Sequence, residues 1–172
     1  RTNGVEPFLG VRWHRGQLAV AVEHYATQFC LRHLQSLSAA AGAPSRAGLI
    51  VAAGAPGEHH EIGLLMIVVM LRWRGWDVKY LGPNLHLDRL DEALGPLRPR
   101  LLLFTATRLE AAEALRALPQ VLARFPAPPP RIVVGGPAFA AGPARPLADW
   151  VHVEAEPEAS VRAIEDLMQV AI

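Results

Sequence analysis

The chain contains a single cysteine, Cys30, among its 172 residues. One thiol cannot form an internal disulfide framework, which excludes the disulfide-rich secreted scaffolds and favours a reducing, cytoplasmic compartment. Cys30 stands in a helical stretch with Phe29, Leu31 and Leu34. Free cysteines in such apolar surroundings are usually buried and structural. We therefore expect Cys30 to be a buried thiol rather than a nucleophile.

Long apolar runs and clusters of one charge are also missing. The longest apolar run, IGLLMIVVML at 62–71, is about half the length that a membrane span needs. The first residues are polar and lack the apolar segment of a secretory signal peptide. The net charge is only +1, with no basic stripe, which argues against direct nucleic-acid binding by this chain. The chain begins with Arg1 instead of methionine, and we expect it to be part of a longer protein.

The chain has two regions that differ in their sequence pattern. Apolar side chains at helical spacing predict one helix over 17–41, which the following AAGAPSRAG stretch ends. From residue 48 onward, short apolar strands alternate with helices. The predicted strands are 49–53, 78–81, 101–105, 132–136 and 151–154, and the predicted helices are 61–74, 86–97, 108–124 and 157–170. This alternation predicts an α/β domain, a flavodoxin-like or Rossmann-like five-stranded parallel sheet with helices on both faces.

The stretch EHHEIG follows the first predicted strand, and ligands of such folds bind at the carboxyl ends of the strands. Glu58, His60 and Gly63 form the pattern E-x-H-x-x-G. The His60 imidazole could bind a metal, Glu58 could accept its other N–H and so fix its tautomer, and Gly63 would let a large ligand approach the backbone. The alternative is that EHHE is a polar loop that caps the next helix.

The other predicted strands end in small or hydroxylic residues. These ends are Leu81-Gly82, Thr105-Ala106-Thr107 and Gly135-Gly136. Each alone resembles any junction of a strand and a turn, but together they suit a wide planar ligand with a hydrogen-bonding tail. A dinucleotide is disfavoured because the first loop lacks G-x-G-x-x-G. A phosphoacceptor receiver domain is disfavoured because no aspartate ends the corresponding strand.

The stretch WHRGQLAVAVEH at 13–24 precedes the predicted sheet. In an unbroken helix, Trp13, Val20 and His24 would lie on nearly one face, with Glu23 beside them. These side chains could line a surface that faces a ligand. The alternative is that Trp13 belongs to a core and that Glu23 and His24 face solvent.

These residues together resemble the signature of a known family. The E-x-H-x-x-G pattern with Thr105-Ala106-Thr107 and Gly135-Gly136 resembles the D-x-H-x-x-G, S-x-L and GG motifs of cobalamin-binding domains that hold the corrinoid base-off/His-on. Trp13, nine residues and then Glu23-His24 resemble the W-x9-E-H motif of the CarH/LitR group, MerR-type light-responsive transcriptional repressors that use adenosylcobalamin. Glu in place of Asp in the first motif is shared with that group, whereas the two threonines depart from the S-x-L motif.

The resemblance implies two domains and a set of cofactor contacts. Residues 1–43 would be part of a helix-bundle cap over the upper face of the corrin, and residues 44–172 the Rossmann-like cobalamin-binding domain. His60 would be the lower axial ligand of cobalt, and His59 would have no role in ligation. The implied cofactor-binding residues are Trp13, His14, Val20, Glu23, His24, Glu58, His60, Glu61, Gly63, Leu81, Gly82, Thr105, Ala106, Thr107, Gly135 and Gly136.

The function implied by the resemblance is a switch and not an enzyme. Light would cleave the Co–C bond of adenosylcobalamin and so change bundle packing, oligomerisation from a dark tetramer, and DNA binding by an N-terminal domain outside this chain. His14 could then take the vacated upper position on cobalt. The alternative is a corrinoid protein that carries methyl groups in a methyltransferase system, and a third reading is a flavodoxin-like interaction module without a cofactor.

Overall fold

The computed structural model describes residues 20–140, 149–153 and 156–169, and the predicted contacts of Trp13 and His14 lie outside these residues. None of the helices in these ranges is both long and apolar enough to cross a membrane. The elements in chain order are α1 (Val20–Ala40), β1 (Leu49–Gly54), α2 (Ile62–Trp73), β2 (Asp77–Tyr80), α3 (Leu90–Leu94), a 3-10 turn (Gly95–Leu97), β3 (Leu101–Thr105), α4 (Leu109–Ala114), a 3-10 turn (Leu115–Ala117), α5 (Leu118–Leu122), β4 (Arg131–Gly135), α6 (Pro137–Ala140), β5 (Val151–Val153) and α7 (Pro157–Gln169).

The strands form one parallel sheet in the order β2-β1-β3-β4-β5. The register pairs Gly54 at the end of β1 with Thr105 at the end of β3, and Thr105 with Gly135 at the end of β4. The order reverses between β1 and β3, which is where doubly wound sheets bind ligands. The sheet confirms the predicted five-stranded α/β fold.

The core is divided between the two faces of the sheet. Successive residues of a strand point to opposite faces, so Leu101 and Leu103 pack towards α2 and α7, whereas Leu102 and Phe104 pack towards α3 to α6. All four side chains are buried, and burying one such side chain stabilises the fold by about 2 kcal/mol. This central strand fixes the position of Thr105, the next residue along, at the carboxyl edge of the sheet.

Two helical regions are shorter than their patterns predict. The region predicted as 86–97 has only the five residues of α3 and a 3-10 turn, because Gly95 and Pro96 end the regular helix. The region predicted as 108–124 is divided into α4, a 3-10 turn and α5, with Pro119 in the first turn of α5. Both regions lie on the face of the sheet opposite α2.

The α1 helix packs on α2 through one narrow face. Trp73 donates from Nε1 to the carbonyl oxygen of Leu37 at 2.9 Å, and Arg72 donates to the hydroxyl of Ser38 at 3.1 Å. Only Leu31 and Ser38 are buried on this helix, and Cys30 is exposed. The prediction of a buried Cys30 was wrong, because the described residues cover only one side of α1 and Cys30 lies on another side.

Candidate functional site

The loop between β1 and α2 begins with a tight turn. The amide of Glu58 donates to the carbonyl oxygen of Ala55 at 2.9 Å, and Gly57 has a φ of +81°, which glycine adopts without strain. The turn reverses the chain directly after the buried strand β1. As a result, the Glu58 side chain points into the protein although its residue belongs to a loop.

The Glu58 carboxylate is completely buried and accepts four hydrogen bonds. Its Oε1 accepts from the backbone amide of His60 at 2.7 Å and from Nδ1 of the same residue at 2.8 Å. Its Oε2 accepts from the backbone amide of Thr107 and from the Thr107 hydroxyl at 2.7 Å. Glu58 therefore joins the loop after β1 to the loop after β3, 49 residues away in sequence.

Glu58 stays ionised in this buried position because of these donors. Burial by itself raises the pKa of the carboxyl group, but the hydrogen bonds from Thr107 and His60 outweigh burial and lower the pKa from 4.5 to about 2. An ionised carboxylate only accepts hydrogen bonds. The proton between Glu58 and the imidazole therefore lies on Nδ1 of His60.

This hydrogen bond decides which nitrogen of His60 is free to bind a metal. With Nδ1 protonated and directed at Glu58, the neutral ring carries its lone pair on Nε2. The Thr107 hydroxyl lies 3.0 Å from Nδ1 as well, and it also holds the ring in place. The His60 side chain is 71% exposed, so Nε2 is accessible to a ligand. A carboxylate behind an imidazole is the usual support of a metal-binding histidine.

The alternative prediction, that the EHHE stretch caps the next helix, is not what the structure shows. Glu61 is the N-cap residue of α2, but its side chain makes no capping hydrogen bond. Its Oε2 instead accepts from the hydroxyl of Tyr80 at 2.6 Å, and burial together with this carboxylate raises the pKa of Tyr80. The two acids of the stretch thus anchor the loop on both sides of the histidines, Glu58 to the loop after β3 and Glu61 to β2.

A cavity of about 220 Å³ opens beside His60 at the carboxyl ends of β1, β3 and β4. We call it the strand-end cavity. It brings together six of the predicted site residues, from the segments at or after the ends of three strands. These are His60, Gly63, Thr105, Thr107, Gly135 and Gly136. The rest of its wall is apolar and was not predicted from the sequence, and consists of Leu64, Ile67, Pro137, Val153 and Pro157.

The hydroxyl of Thr105 is buried at the wall of the strand-end cavity and has no hydrogen-bond partner among the described residues. Buried hydroxyls are normally paired, so this group is available to a polar atom of a ligand. A side chain at Gly135 would lie 3.1 Å from Val153, which lines the same cavity. The glycine therefore keeps the cavity open between β4 and β5.

Gly136 lines the strand-end cavity and also has a role in the fold that the sequence analysis did not predict. Its φ is +104°, and an added Cβ would collide with the backbone carbonyl of Ala106. The glycine is therefore required by the close approach of the β3 and β4 loops, whatever binds in the cavity. Ala106 itself is completely buried, so its side chain is not part of the cavity wall.

Leu81 and Gly82 do not line the strand-end cavity. They follow β2, the edge strand on the far side of β1, and the carbonyl of Gly82 accepts from the amide of Gly54 at 3.0 Å. Leu81 is exposed. Their assignment as cofactor contacts stays a prediction that the cavity does not support.

A second cavity, of about 240 Å³, lies between α1 and the β1–α2 loop. We call it the helix-side cavity. Its wall includes Glu23, Thr27 and His59, and His60 borders this cavity as well as the strand-end cavity. Glu23 accepts a hydrogen bond from the Thr27 hydroxyl at 3.1 Å. Val20 and His24 are exposed on α1 and do not line this cavity.

Sequence reasoning missed the residue that holds the turn before His60. The side-chain oxygen of Asn84 accepts from the amide of Gly57 at 2.7 Å, and the Asn84 amide donates to the carbonyl of Glu58 at 2.7 Å. Asparagine is a common turn residue, so the Gly82-Pro83-Asn84 stretch after β2 was the available signal. Its contact with a loop 27 residues earlier could not be read from the sequence.

The site suits a metal that is held mainly by a prosthetic group. Among the described residues, no three His, Cys, Asp or Glu side chains are grouped to hold a metal ion, so His60 would be a single protein ligand. The accessible Nε2, the unpaired Thr105 hydroxyl and the adjoining cavity provide an axial ligand and a recess for an appended tail. A cobalt corrinoid has both of these needs, and the residues present fit it.

The sequence comparison agrees with this donor set. Residues 48–165 match the family model described as B12 binding domain. The chain belongs to the B12-binding domain family. The match covers all five strands and every residue of the strand-end cavity.

Two curated proteins are similar to this chain in sequence. The B12-binding chain is 33% identical over 129 residues to the HTH-type transcriptional repressor CarA of Myxococcus xanthus, which covers 74% of this chain and 42% of CarA. It is 39% identical over 92 residues to the HTH-type transcriptional repressor CarH of the same organism, covering 53% of this chain and 30% of CarH. The chain spans less than half the length of these relatives. The predicted resemblance to the CarH group is confirmed.

Solved structures support the fold of the B12-binding chain. The methanol:cobalamin methyltransferase complex MtaBC of Methanosarcina barkeri superposes with a TM-score of 0.60 at 20% identity, covering 93% of this chain and 62% of that chain. The monomethylamine corrinoid protein of the same organism superposes with a TM-score of 0.66 at 16% identity, covering 91% of this chain and 76% of that chain. At these identities the likeness concerns the fold alone.

Proposed function

We propose that this chain is the adenosylcobalamin-binding sensor module of a transcriptional regulator, and that it acts as a switch without catalytic turnover. The observation that carries the proposal is the His60 imidazole, exposed at Nε2 and held by a buried, ionised carboxylate at the mouth of the strand-end cavity. The matched B12-binding family and the similarity to two transcriptional repressors support it.

Two groups of residues in this chain would hold the cofactor, one at the metal and one at the nucleotide tail. His60 would be the lower axial ligand of cobalt in a base-off/His-on arrangement, and Glu58 would orient the ring and hold its Nδ1–H, so that Nε2 is the nitrogen directed at the metal. The hydroxyls of Thr105 and Thr107 and the bare backbone of Gly135 would hold the nucleotide tail in the strand-end cavity. Bound adenosylcobalamin would supply a light-sensitive bond between cobalt and carbon.

The α1 helix is the element that would respond to the state of the cofactor. It contacts the rest of the described chain mainly through α2, and Glu23 reaches the helix-side cavity beside His60. Its position is therefore sensitive to what fills that cavity, because a ligand shifts an equilibrium only by contacting one arrangement better than the other. We expect light to change the packing of α1, the oligomeric state, and DNA binding by a domain outside this chain, in a cytoplasmic regulator.

A second candidate is a corrinoid protein that carries methyl groups between enzymes. The superposition on the methyltransferase complex MtaBC and on the monomethylamine corrinoid protein favours it. The identity to these two structures is 20% and 16%, compared with 33% and 39% to the two repressors. The sensor role is therefore the better supported of the two.

Reconstitution separates the two functions. Purified chain is incubated in the dark with adenosylcobalamin or methylcobalamin, and its absorption spectrum is recorded before and after green light. The sensor role predicts dark uptake of adenosylcobalamin, a persistent spectral change after light, and a change in elution volume on size exclusion. Binding of both forms with no light-dependent change in size would favour the methyl carrier.

A further inference from the structure

The stretch after β2 runs along the β1–α2 loop and is joined to it by backbone hydrogen bonds. The amide of Gly54 donates to Gly82, and the amide of Leu85 donates back to Gly54, both at 3.0 Å. Between these two bonds lies Asn84, whose φ of +53° turns both its backbone amide and its side chain towards the loop.

Asn84 holds two consecutive residues of the turn before His60. Its side-chain oxygen accepts from the amide of Gly57, and its own amide donates to the carbonyl of Glu58, each at 2.7 Å. These two bonds hold the peptide groups on either side of the Gly57–Glu58 peptide, those of Pro56–Gly57 and Glu58–His59, and so constrain the direction in which the Glu58 side chain leaves the backbone.

Gly54 makes this approach possible. A Cβ on Gly54 would lie 3.1 Å from Cα of Pro83, 3.2 Å from the amide nitrogen of Asn84 and 3.2 Å from the carbonyl oxygen of Glu58. Those distances are shorter than ordinary van der Waals contact, so any side chain at Gly54 would push the two segments apart. The sequence thus keeps a glycine at the end of β1, opposite the asparagine.

We propose that Asn84 is a positioning residue for His60: by holding the Gly57–Glu58 turn, it fixes the carboxylate that orients the imidazole. The inference rests on the proposed function, since it treats His60 as the ligand of cobalt. Asn84 reaches the imidazole only through Glu58, because its own side chain bonds to the turn and does not line the strand-end cavity.

Two substitutions at Asn84 isolate its side-chain bond. Asn84→Gly keeps the backbone conformation, because glycine adopts a positive φ without strain, but it removes the acceptor. Asn84→Asp keeps an acceptor oxygen, and aspartate also tolerates this conformation. Gly54→Ala is a third variant, which displaces the Asn84 segment without altering any hydrogen-bonding group.

The three variants and the wild-type chain are compared in two measurements. Hydrogen exchange of the Gly57 amide in the free protein reports whether its hydrogen bond to Asn84 is formed. Dark titration with adenosylcobalamin reports the effect of that bond on cofactor binding. For Asn84→Gly we expect faster exchange and about tenfold weaker binding, as the loss of one hydrogen bond predicts. Asn84→Asp should restore both values to within about twofold of the wild type. Gly54→Ala should weaken binding, and this comparison stands by itself if Asn84→Gly does not fold.

Each contrary outcome identifies what fails. Faster Gly57 exchange in Asn84→Gly with unchanged cobalamin affinity would overturn the positioning role while leaving the proposed function intact. Equal weakening in Asn84→Gly and Asn84→Asp would overturn it too, because the acceptor would not be the cause. Wild-type affinity in Gly54→Ala would contradict the need for close approach. Failure of the wild-type chain to bind adenosylcobalamin would overturn the proposed function, and the inference with it.

Discussion

At the scale of single residues, the neighbouring histidines His59 and His60 differ in the groups that surround them. His60 donates from Nδ1 to the buried carboxylate of Glu58, whereas His59 borders only the helix-side cavity. The buried carboxylate is held ionised by donors from both the β1 and the β3 loops. Glu58 therefore couples the geometry of the sheet edge to the tautomer of one imidazole.

Replacing Glu58 by glutamine tests this coupling. In Glu58→Gln the side-chain NH2 would face donors in either orientation, those of His60 or those of Thr107, so the set of four hydrogen bonds cannot be kept. We expect adenosylcobalamin affinity to fall about 10- to 100-fold, the usual effect of removing the support of a metal-binding histidine. Absorption titration in the dark measures it, and Glu113→Gln, on the exposed face of α4, is the matched control. Equal affinities for the two variants would refute the role of Glu58.

The depressed pKa of Glu58 also predicts how stability depends on pH. A carboxyl group whose pKa falls from 4.5 in the unfolded chain to about 2 in the folded one stabilises the fold above pH 4.5. That contribution, about 3 kcal/mol at full size, is lost as the pH falls from 4.5 towards 2. Urea unfolding at pH 7 and pH 3 measures it. The stability difference between wild type and Glu58→Gln should shrink at the lower pH, and a constant difference would contradict the ionised, hydrogen-bonded carboxylate.

At the scale of elements, the first turn of α2 contains a glycine that no close contact requires. Gly63 lies in the first turn of α2, and an added Cβ would meet no atom within 4 Å. Gly136, by contrast, is required by the backbone of Ala106 behind it. The two glycines therefore differ in role. The fold requires Gly136, whereas Gly63 leaves space for a ligand to approach α2.

Gly63→Ala separates stability from binding. Alanine inside a helix is more favourable than glycine by up to about 1 kcal/mol, so the free protein should become slightly more stable. The new methyl group faces the open side of α2 at the mouth of the strand-end cavity, so adenosylcobalamin affinity should fall. Thermal unfolding and dark titration on the same preparation measure both. An unchanged affinity would mean that no ligand approaches Gly63.

The elements could be predicted from sequence to the extent that their patterns are local. The runs of Leu, Ile and Val that form β1, β3 and β4 were located within one residue, because such buried strands need no information from distant residues. The region 108–124 was predicted as one helix, although its periodicity conceals the interruptions around Pro119. Cys30 was misplaced because its exposure depends on what surrounds α1, which the local pattern does not contain.

At the scale of the whole molecule, the candidate site was predicted in part for the same reason. The parallel sheet brings the ends of β1, β3 and β4 together, so His60, Thr105 and Gly135 could be assigned to one edge from the sequence. The hydrogen bond between Glu58 and Thr107 joins residues 49 positions apart. The hydrogen bond between Gly57 and Asn84 joins residues 27 positions apart. Contacts of this kind depend on side-chain orientation in the folded chain, and the sequence alone does not specify it.

The central claim is that this chain binds a cobalt corrinoid through His60, and a paired titration tests it most directly. Wild type, His60→Ala and His59→Ala are each titrated with adenosylcobalamin in the dark, and the absorption spectrum gives both the affinity and the axial ligand of cobalt. We predict that His59→Ala keeps the affinity and the spectrum of the wild type, whereas His60→Ala loses the histidine-ligated spectrum and binds at least tenfold more weakly. Equal binding and equal spectra for the two variants would contradict the account.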